Sequence, residues 1–160
     1  MVAVLLALLL PLAASGDGQP RDGSGPVLEI RSYILTPGTR ARFHERFERE
    51  ALPLLREWKI DVVAFGPSLH DRNSYYLMRA FPDLHERDRM EEAFYASPAW
   101  RNGPRTAVLA DIQSYTTIVI PADGQLIGRL RALIGSAAPG DPGQEDAWRS
   151  VARRRQSPSP

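Results

Sequence analysis

Charged and aromatic side chains alternate along one short stretch of the chain, and this stretch could support chemistry. Glu29, Arg31 and Tyr33 are two residues apart, so on a β-strand they share one face. Arg79 lies in a second strand-like stretch and could join them from a neighbouring strand. A guanidinium beside a carboxylate can form an ion pair, and a free guanidinium can bind an anionic ligand group. We favour the ion pair, because an unpaired buried charge would be costly.

Histidines and aromatic residues supply further candidates. His70 lies between two predicted strands, beside Asp71 and Arg72, where it could reach a ligand at the mouth of a cleft. His44 and His85 fall among charged neighbours on predicted helices, and we expect them to face solvent. No two histidines have metal-site spacing, so we expect no metal. The aromatic residues that could line a cleft, although such residues more often belong to the core, are Tyr33, Trp58, Tyr75, Tyr76, Tyr95 and Trp100.

The composition argues against several classes of chemistry. Basic and acidic side chains nearly balance, 20 against 19, and form no basic face, so we expect no nucleic-acid partner. Cysteine is absent, which removes disulfides, thiolate nucleophiles and cysteine-held metals. The sequence also lacks a P-loop, a dinucleotide-binding fingerprint and a nucleophile elbow. We therefore expect no cofactor.

An apolar stretch near the first residue is typical of an export signal. Residues 2–12 are almost all Val, Ala and Leu, and small residues follow from Ala13 to Gly16. The run is shorter than the roughly 20 apolar residues that span a bilayer, and it matches the hydrophobic region of a signal peptide. We therefore predict a signal peptide over 1–16, a secreted or periplasmic location and no stable membrane span. The alternative is that this run is a buried element of the domain.

Two segments without regular apolar periodicity flank the rest of the chain. Residues 17–26 are rich in Gly, Asp, Ser and Pro, which predicts a flexible linker. Residues 135–160 are rich in Pro, Gly and Arg, which predicts a disordered tail. Apolar residues at helical spacing predict a short helix over 122–134. The folded domain is thus expected to cover 27–121.

Within residues 27–121, the apolar periodicity switches in a regular order between strand and helix. Pro53 removes a backbone donor from the first helical stretch and predicts a kink near Arg49–Glu50. The order β-α-β-β-α-β predicts an α+β domain of the ferredoxin-like type. The six predicted elements are Val27–Leu35, Thr39–Trp58, Ile60–Gly66, Tyr75–Phe81, Leu84–Tyr95 and Ile112–Ile120.

The predicted sheet has apolar residues on both faces. Right-handed connections place both helices on one face, yet residues 62–65, 75–78 and 118–120 are apolar throughout. Monomers rarely expose an apolar patch above a few hundred Å². We therefore predict a homodimer in which a second copy covers the open face through a two-fold interface. The alternative is that residues 123–134 fold back over this face as a helix; we expect that segment to lie at the edge of the sheet.

The dimer prediction also assigns the faces of the first strand. We expect its apolar set, which includes Leu28 and Ile30, to pack on the helices. Glu29 and Arg31 would then point into the cleft between the two sheets. The candidate ligand-binding residues of this cleft are Glu29, Arg31, Tyr33, His70, Tyr76, Arg79 and Trp100.

Four runs of residues resemble segments of one known family. They are V-L-E-I-R-S-Y-I-L-T-P-G at 27–38, L-P-L-L-R-E-W at 52–58, D-L-H-E-R-D at 83–88 and Y-A-S-P-A-W at 95–100, and the family that they resemble is NIPSNAP. The resemblance implies a dimeric α/β barrel in which two ferredoxin-like sheets face each other.

The NIPSNAP resemblance implies little about activity, because fold does not fix function. Most members are uncharacterised, and the animal members are mitochondrial proteins linked to vesicle traffic and organelle quality control. Relatives with the same barrel include cofactor-free monooxygenases and haem-degrading enzymes. The predicted export signal and Pro-rich tail depart from the animal members.

We interpret the chain as an exported, non-catalytic, homodimeric binding or interaction module. The alternative is a cofactor-independent enzyme, monooxygenase-like or isomerase-like, that holds a small apolar or aromatic molecule in the barrel cleft. Its candidate groups are Arg31, Tyr33, His70 and Arg79. An enclosed pocket with these groups within hydrogen-bond reach would favour the enzyme, and a cleft filled by side chains would favour the module.

Overall fold

A computed structural model describes residues 23–135 of the 160-residue chain. The predicted signal peptide, most of the predicted linker and almost all of the predicted tail lie outside the described residues. They stay predictions.

Four strands and six helices form the described part of the chain, and a π-helical turn joins the first two helices. The strands are β1 (Val27–Leu35), β2 (Asp61–Pro67), β3 (Ser74–Phe81) and β4 (Ile112–Pro121). The helical elements are α1 (Arg40–Arg46), the π turn (Phe47–Ala51), α2 (Leu52–Glu57), α3 (Leu84–Ala96), α4 (Pro98–Arg101), α5 (Arg105–Ala110) and α6 (Gly124–Gly135).

The four strands form one sheet in the order β2-β3-β1-β4, with antiparallel pairing throughout. β1 and β3 are therefore central, and β2 and β4 are the two edge strands. This arrangement confirms the predicted α+β, ferredoxin-like fold. The dimeric form of the barrel stays a prediction.

The first long helical stretch is irregular where proline predicts a kink. Pro53 has no N–H to donate to the preceding turn. One residue earlier, the N–H of Leu52 bonds to the carbonyl of Phe47, five residues back, which is the π-helical pattern. The π turn lets the chain pass the missing donor without ending the helix.

The main core lies between the sheet and the helices. Phe43 and Phe47 come from the first helical stretch and contact Tyr75 of β3. Phe94 of α3 packs edge-on against Trp58. Each fully buried apolar side chain of this size contributes about 1.5–3 kcal/mol.

The prediction that Leu28 and Ile30 pack on the helices is wrong. Tyr33 and Leu35 belong to the helix-side core, so β1 turns its odd-numbered residues, including Glu29, towards the helices. The physical reason is that α3 presents charged residues to the sheet, and these pair with the charges of β1. An apolar strand face was therefore not needed on that side.

The helix α6 folds back onto the open face above the edge strand β2. Its residues Ile127 and Leu130 pack against a small cluster that includes Leu28 of β1 and Val63 of β2. The interaction of Arg131 with Asp61 holds α6 to the start of β2. Residues 123–134 are predicted either to fold back over the open face or to lie at the edge of the sheet. The structure shows part of each, because α6 covers the β2 side of the open face and leaves the β4 side uncovered.

Candidate functional site

Five charged side chains meet between the sheet and α3, and we call them the arginine–glutamate cluster: Glu29, Arg31, Arg79, Arg87 and Glu91. Glu29 and Arg79 lie opposite each other on β1 and β3. Arg31 is two residues further along β1 and therefore shares the face of Glu29. Arg87 and Glu91 are one helical turn apart on α3, so their side chains lie together on the side that faces the sheet.

Each carboxylate of the cluster is shared between guanidinium groups. Arg31 donates through Nη2 to both oxygens of Glu91, at 2.8 and 2.9 Å. Arg87 donates through Nε to Glu29 Oε2 at 2.6 Å. Arg79 donates through Nε to Glu29 Oε1 at 3.1 Å and also contacts Glu91. The cluster therefore ties α3 to both central strands.

Tyr95 closes the cluster on the side of the aromatic core. Its hydroxyl accepts hydrogen bonds from Arg31 Nη1 at 2.8 Å and from Arg79 Nη1 at 3.3 Å. The Arg31 guanidinium also lies 5.6 Å from the ring centre of Tyr95 and 5.7 Å from that of Tyr115. Burial lowers the pKa of Arg31, but the neighbouring Tyr95 and Tyr33 help to raise it above its ordinary value overall. Arg31 therefore stays charged.

The cluster itself has one excess positive charge, which a neighbouring carboxylate balances. Three guanidinium groups face two carboxylates, and the exposed Asp88, 2.6 Å from Arg87 Nη1, supplies a third. One atom lacks an aligned partner: Arg31 Nε lies 2.8 Å from Glu29 Oε1, but the geometry is not that of a hydrogen bond. We regard this contact as an ion pair, since charge attraction does not require alignment. The cluster therefore holds α3 against the sheet.

Tyr33 and Trp100 lie beside this cluster in the core. Burial, followed by the influence of Tyr95, raises the pKa of Tyr33 to about 12, so it stays protonated at neutral pH. The remaining space has a volume of about 30 Å³ and is lined by these residues, Arg79 and Tyr95 among others. That space holds about one or two water molecules and no larger ligand. The structure thus brings together five of the seven candidate residues: Glu29, Arg31, Tyr33, Arg79 and Trp100.

The other two candidate residues lie elsewhere. Tyr76 is on the opposite face of β3, where it is paired with Ser32 of β1. His70 is exposed in the loop between β2 and β3, and its backbone N–H donates to Ser68 Oγ at 3.1 Å. Neither residue reaches the arginine–glutamate cluster.

A second, larger cavity lies along the edge strand β2, and we call it the β2 cleft. Its volume is about 690 Å³. One wall is formed by α1, the π turn and α2, the floor by β2, and the other wall by the end of α6. Residues that line it include His44, Glu48, Leu52, Arg56, Val62, Val63, Ala64, Phe65, Gly66, Leu133 and Ile134.

His44 is part of the wall of the β2 cleft, so the expectation that it faces solvent is wrong. Its Nδ1 lies 2.7 Å from the hydroxyl of Tyr75, and its Nε2 lies 3.6 Å from Glu48 Oε1. Burial is the main cause that raises the pKa of Tyr75, and Glu48 adds to it. The Tyr75 hydroxyl is buried and needs a partner, which is why the histidine turns inward. The alternation of β3 places Tyr75 on the helix side, but its pairing with His44 depends on tertiary structure.

Sequence reasoning also missed a buried acid that anchors α1. Asp111 accepts hydrogen bonds from Arg42 Nη2 at 2.5 Å and from Arg46 Nη1 at 2.9 Å. The hydrogen bond from Arg42 is the main cause that lowers the pKa of Asp111. The only sequence signal is the four-residue spacing of the two arginines, which puts them on one side of α1. These bonds fasten α1 to the turn before β4.

Residues 23–135 contain neither a metal-binding cluster nor a membrane-spanning helix. No three histidine, aspartate or glutamate side chains in that range are arranged to hold a metal ion. Its helices are also too short or too polar to cross a bilayer.

The strand order and the connections define this part of the chain as a ferredoxin-like α+β domain. The family model of NIPSNAP matches residues 28–129. The chain belongs to the NIPSNAP family, which confirms the resemblance of its four sequence runs. Comparison with curated proteins found no match.

Solved structures of NIPSNAP proteins have the same fold at low identity. An uncharacterized NIPSNAP-like domain protein from Burkholderia xenovorans is 20% identical, with a TM-score of 0.58, over 63% of this chain and 88% of its own. A NIPSNAP family protein of unknown function from Agrobacterium tumefaciens is 20% identical, with a TM-score of 0.56, over 63% of this chain and 92% of its own. A second NIPSNAP family protein from that bacterium is 11% identical, with a TM-score of 0.57, over 62% and 88%. At these identities the likeness concerns the fold.

Proposed function

We propose that this NIPSNAP protein is an exported, non-catalytic binding module that works as a homodimer. The observation that carries the proposal is the exposed apolar surface on the β4 side of the open face. The side chain of Ile118 is 53% exposed, Ile34 is 40% exposed and Ile120 is 36% exposed.

Ile118 and Ile120 continue rows of apolar side chains that cross the sheet. Ile30 of β1 lies between Met78 of β3 and Ile118 of β4. Leu28, one pair further along, lies next to Ile120. Because α6 covers only the β2 side, a second copy that packed on β1 and β4 would bury the rest of these rows. Such burial contributes about 25 cal/mol per Å² of apolar area, before the costs of association.

The edge strand β4 supports the same interface from its other face. Tyr115 lies on the helix side of β4 and is 60% exposed, so this strand offers apolar surface on both sides. Proteins usually protect an edge strand by charges, by a bulge or by a covering element. In the part of the chain that the structure describes, no strand pairs with the outer edge of β4, and a second subunit would cover that edge.

The arginine–glutamate cluster supports a binding role over catalysis. Its guanidinium and carboxylate groups form hydrogen bonds with one another, and the cavity beside the cluster has a volume of about 30 Å³. The alternative, a cofactor-independent enzyme acting on a small apolar or aromatic molecule, needs both free polar groups and room for a substrate. Neither is available beside Arg31, Tyr33 and Arg79, three of the groups that the sequence favours.

Export rests on the apolar run over residues 2–12, which matches a signal peptide. Fractionation of the producing cells, followed by amino-terminal sequencing, tests it. A mature protein outside the cytoplasm that starts near residue 16 is expected, and an uncleaved cytoplasmic protein would contradict export.

Sedimentation equilibrium of the mature chain tests the homodimer. We expect a dimer at micromolar concentration, because the exposed isoleucines have no other cover among residues 23–135. A concentration of about 100 µM is above the Kd of a stable interface, so the dimer should form there. A protein that is still a monomer at that concentration would overturn the proposed interface.

A further inference from the structure

We propose that the β2 cleft binds an extended peptide segment, which adds to β2 as an antiparallel fifth strand. The inference rests on the proposed role as a binding module and names its class of partner. The main feature of the cleft is the edge strand β2, which β3 separates from the exposed isoleucines of β1 and β4, although the cleft also reaches Ser32 of β1 and Tyr76 of β3 on the open face.

The edge of β2 offers unpaired backbone groups to the cleft. β2 pairs with β3 on one side, and no described strand pairs with it on the other. Alternate residues of an edge strand direct their N–H and C=O groups outward. The two ends of β2 are protected, by the interaction of Asp61 with Arg131 and by Pro67. Between them, residues 62–66 are uncharged and border the cleft.

The walls of the cleft suit the alternating side chains of an added strand. On the helix side, Leu52 stands beside the cleft together with Phe65 of β2. On the other side, Leu133 and Ile134 of α6 border it together with Ala64. Because successive side chains of a strand point to opposite faces, both sets of a bound peptide would meet apolar surface. This is the arrangement of strand addition, in which the backbone gives affinity and the walls give specificity.

The length of the helix wall indicates the length of the peptide, and its charges indicate which end charges an antiparallel peptide would carry. His44, Glu48, Leu52 and Arg56 are spaced four residues apart and span roughly 18 Å along the helix axis, about the length of five strand residues. The ring of His44 lies 6.1 Å from that of Phe65, near the end of β2.

Arg56, by contrast, lies just before the start of β2, since its carbonyl accepts a hydrogen bond from Lys59. A peptide antiparallel to β2 would therefore begin beside Glu48 and finish beside Arg56. A basic amino end and an acidic carboxyl end complement these two charges.

Two other occupants fit the β2 cleft less well. A purely apolar small molecule would cover the outward N–H and C=O groups of β2 without bonding to them, which is costly. The β2 edge of a second copy is recessed between the same walls, so two such edges would not come into contact. An extended peptide has both the backbone donors and the narrow width that the cleft requires.

The test uses a short fluorescein-labelled peptide in which alternating valines and threonines lie between an amino-terminal lysine and a carboxyl-terminal glutamate. Binding to the mature full chain is measured by fluorescence anisotropy. Two further peptides carry N-methyl groups on one or the other alternate set of residues. We expect one set to weaken binding at least about tenfold, because it removes the donors that face β2, and the other set to change it less than about twofold.

Two protein variants test the direction of the peptide. Arg56→Glu should weaken the lysine-first peptide several-fold and remove its advantage over a peptide with glutamate first and lysine last, because Glu48 is unchanged. Arg101→Glu, an exposed arginine on α4, is the matched control and should change neither. Absence of binding, equal loss with both N-methyl sets, or equal effects of the two variants would overturn the inference.

Sedimentation of the same samples distinguishes a failure of the strand-addition proposal from a failure of the homodimer proposal. A dimer that binds none of the peptides overturns strand addition alone. A monomer that keeps the one-sided N-methyl effect overturns the isoleucine interface alone. Peptide binding that disappears when the protein self-associates would show that a second copy occupies the cleft, and would overturn the peptide proposal.

Discussion

Glu29 and Arg79 lie opposite each other on β1 and β3, and neither side chain is exposed to solvent. They join the helix α3 to the sheet through Arg87 and Glu91. A charged pair in this position holds α3 in one place, because any shift of the helix would leave a buried charge without a partner. The inner surface of the domain is therefore positioned by ion pairs as well as by apolar packing.

Replacement of Arg79 tests this role. Arg79→Met removes the hydrogen bonds to Glu29 Oε1 and one of the partners of Glu91 in the interior, and we expect a loss of about 3–5 kcal/mol in the free energy of unfolding. Urea unfolding followed by circular dichroism measures it. Arg89→Met, which removes an exposed ion pair with Glu86 on the same helix, is the control and should leave the midpoint unchanged. Equal losses in both variants would contradict the assigned role of the cluster.

The proposed subunit interface has a matched pair of surface variants. Ile118→Glu places a charge in the middle of the exposed apolar rows of β1 and β4, so the dimer should dissociate at least about 100-fold more readily, equivalent to roughly 3 kcal/mol. Leu109→Glu changes a residue of similar exposure on α5 and should leave the dimer intact. Sedimentation velocity over a concentration series distinguishes them. An Ile118→Glu variant that remains a dimer would exclude this face.

Asp111 should make the stability of the domain depend on acid pH. Its pKa is lowered from 3.8, chiefly by the hydrogen bond from Arg42. A carboxyl whose pKa is lower in the folded state stabilises that state above pH 3.8, and the contribution is lost as pH falls further and the folded carboxyl is protonated.

Asp111→Asn should therefore be less stable than the unaltered protein at neutral pH, and the difference should shrink below about pH 3.8. Thermal unfolding over a pH series measures this. Glu92→Gln, an exposed change on α3, should retain the original pH dependence. A difference that stays constant down to pH 2 would refute the assigned linkage.

The hydrogen bond between His44 and Tyr75 is open to a double-mutant cycle. Tyr75→Phe removes the hydroxyl and His44→Phe removes its partner, and each should cost about 1 kcal/mol. The double variant should lose less than the two single losses together, by about 0.5–1.5 kcal/mol, because the two groups act on each other. Urea unfolding of the four proteins gives the coupling. Strictly additive losses would mean that the bond contributes nothing in solution.

The order of the elements could be predicted because it depends on local patterns. Pro53 marks the irregular part of the first helical stretch, and the π turn lies there. Asp83 begins α3, and its side chain accepts a hydrogen bond from the backbone of Glu86. Such signals depend on residues that are close together in the chain, so they can be recognised from the amino-acid sequence alone.

The faces of the strands could not be predicted in the same way. The sequence of α3 distributes charged residues around the whole helix, so it does not reveal that Arg87 and Glu91 turn inward. The pairing of Glu91 with Arg31 joins residues 60 positions apart in the chain. A charge that faces inward is favourable only when it contacts a charge of opposite sign. Arg31 and Glu91 come into contact only in the folded chain.

The sequence by itself determined the element order, the ferredoxin-like class and the NIPSNAP resemblance, since periodicity, caps and short motifs are local. The tertiary structure alone decided that Glu29 and Arg31 lie beneath α3, that α6 covers half of the open face and that His44 lines the β2 cleft. These outcomes depend on which distant charges and apolar surfaces come into contact. The free energy of those contacts is gained only after the chain has folded.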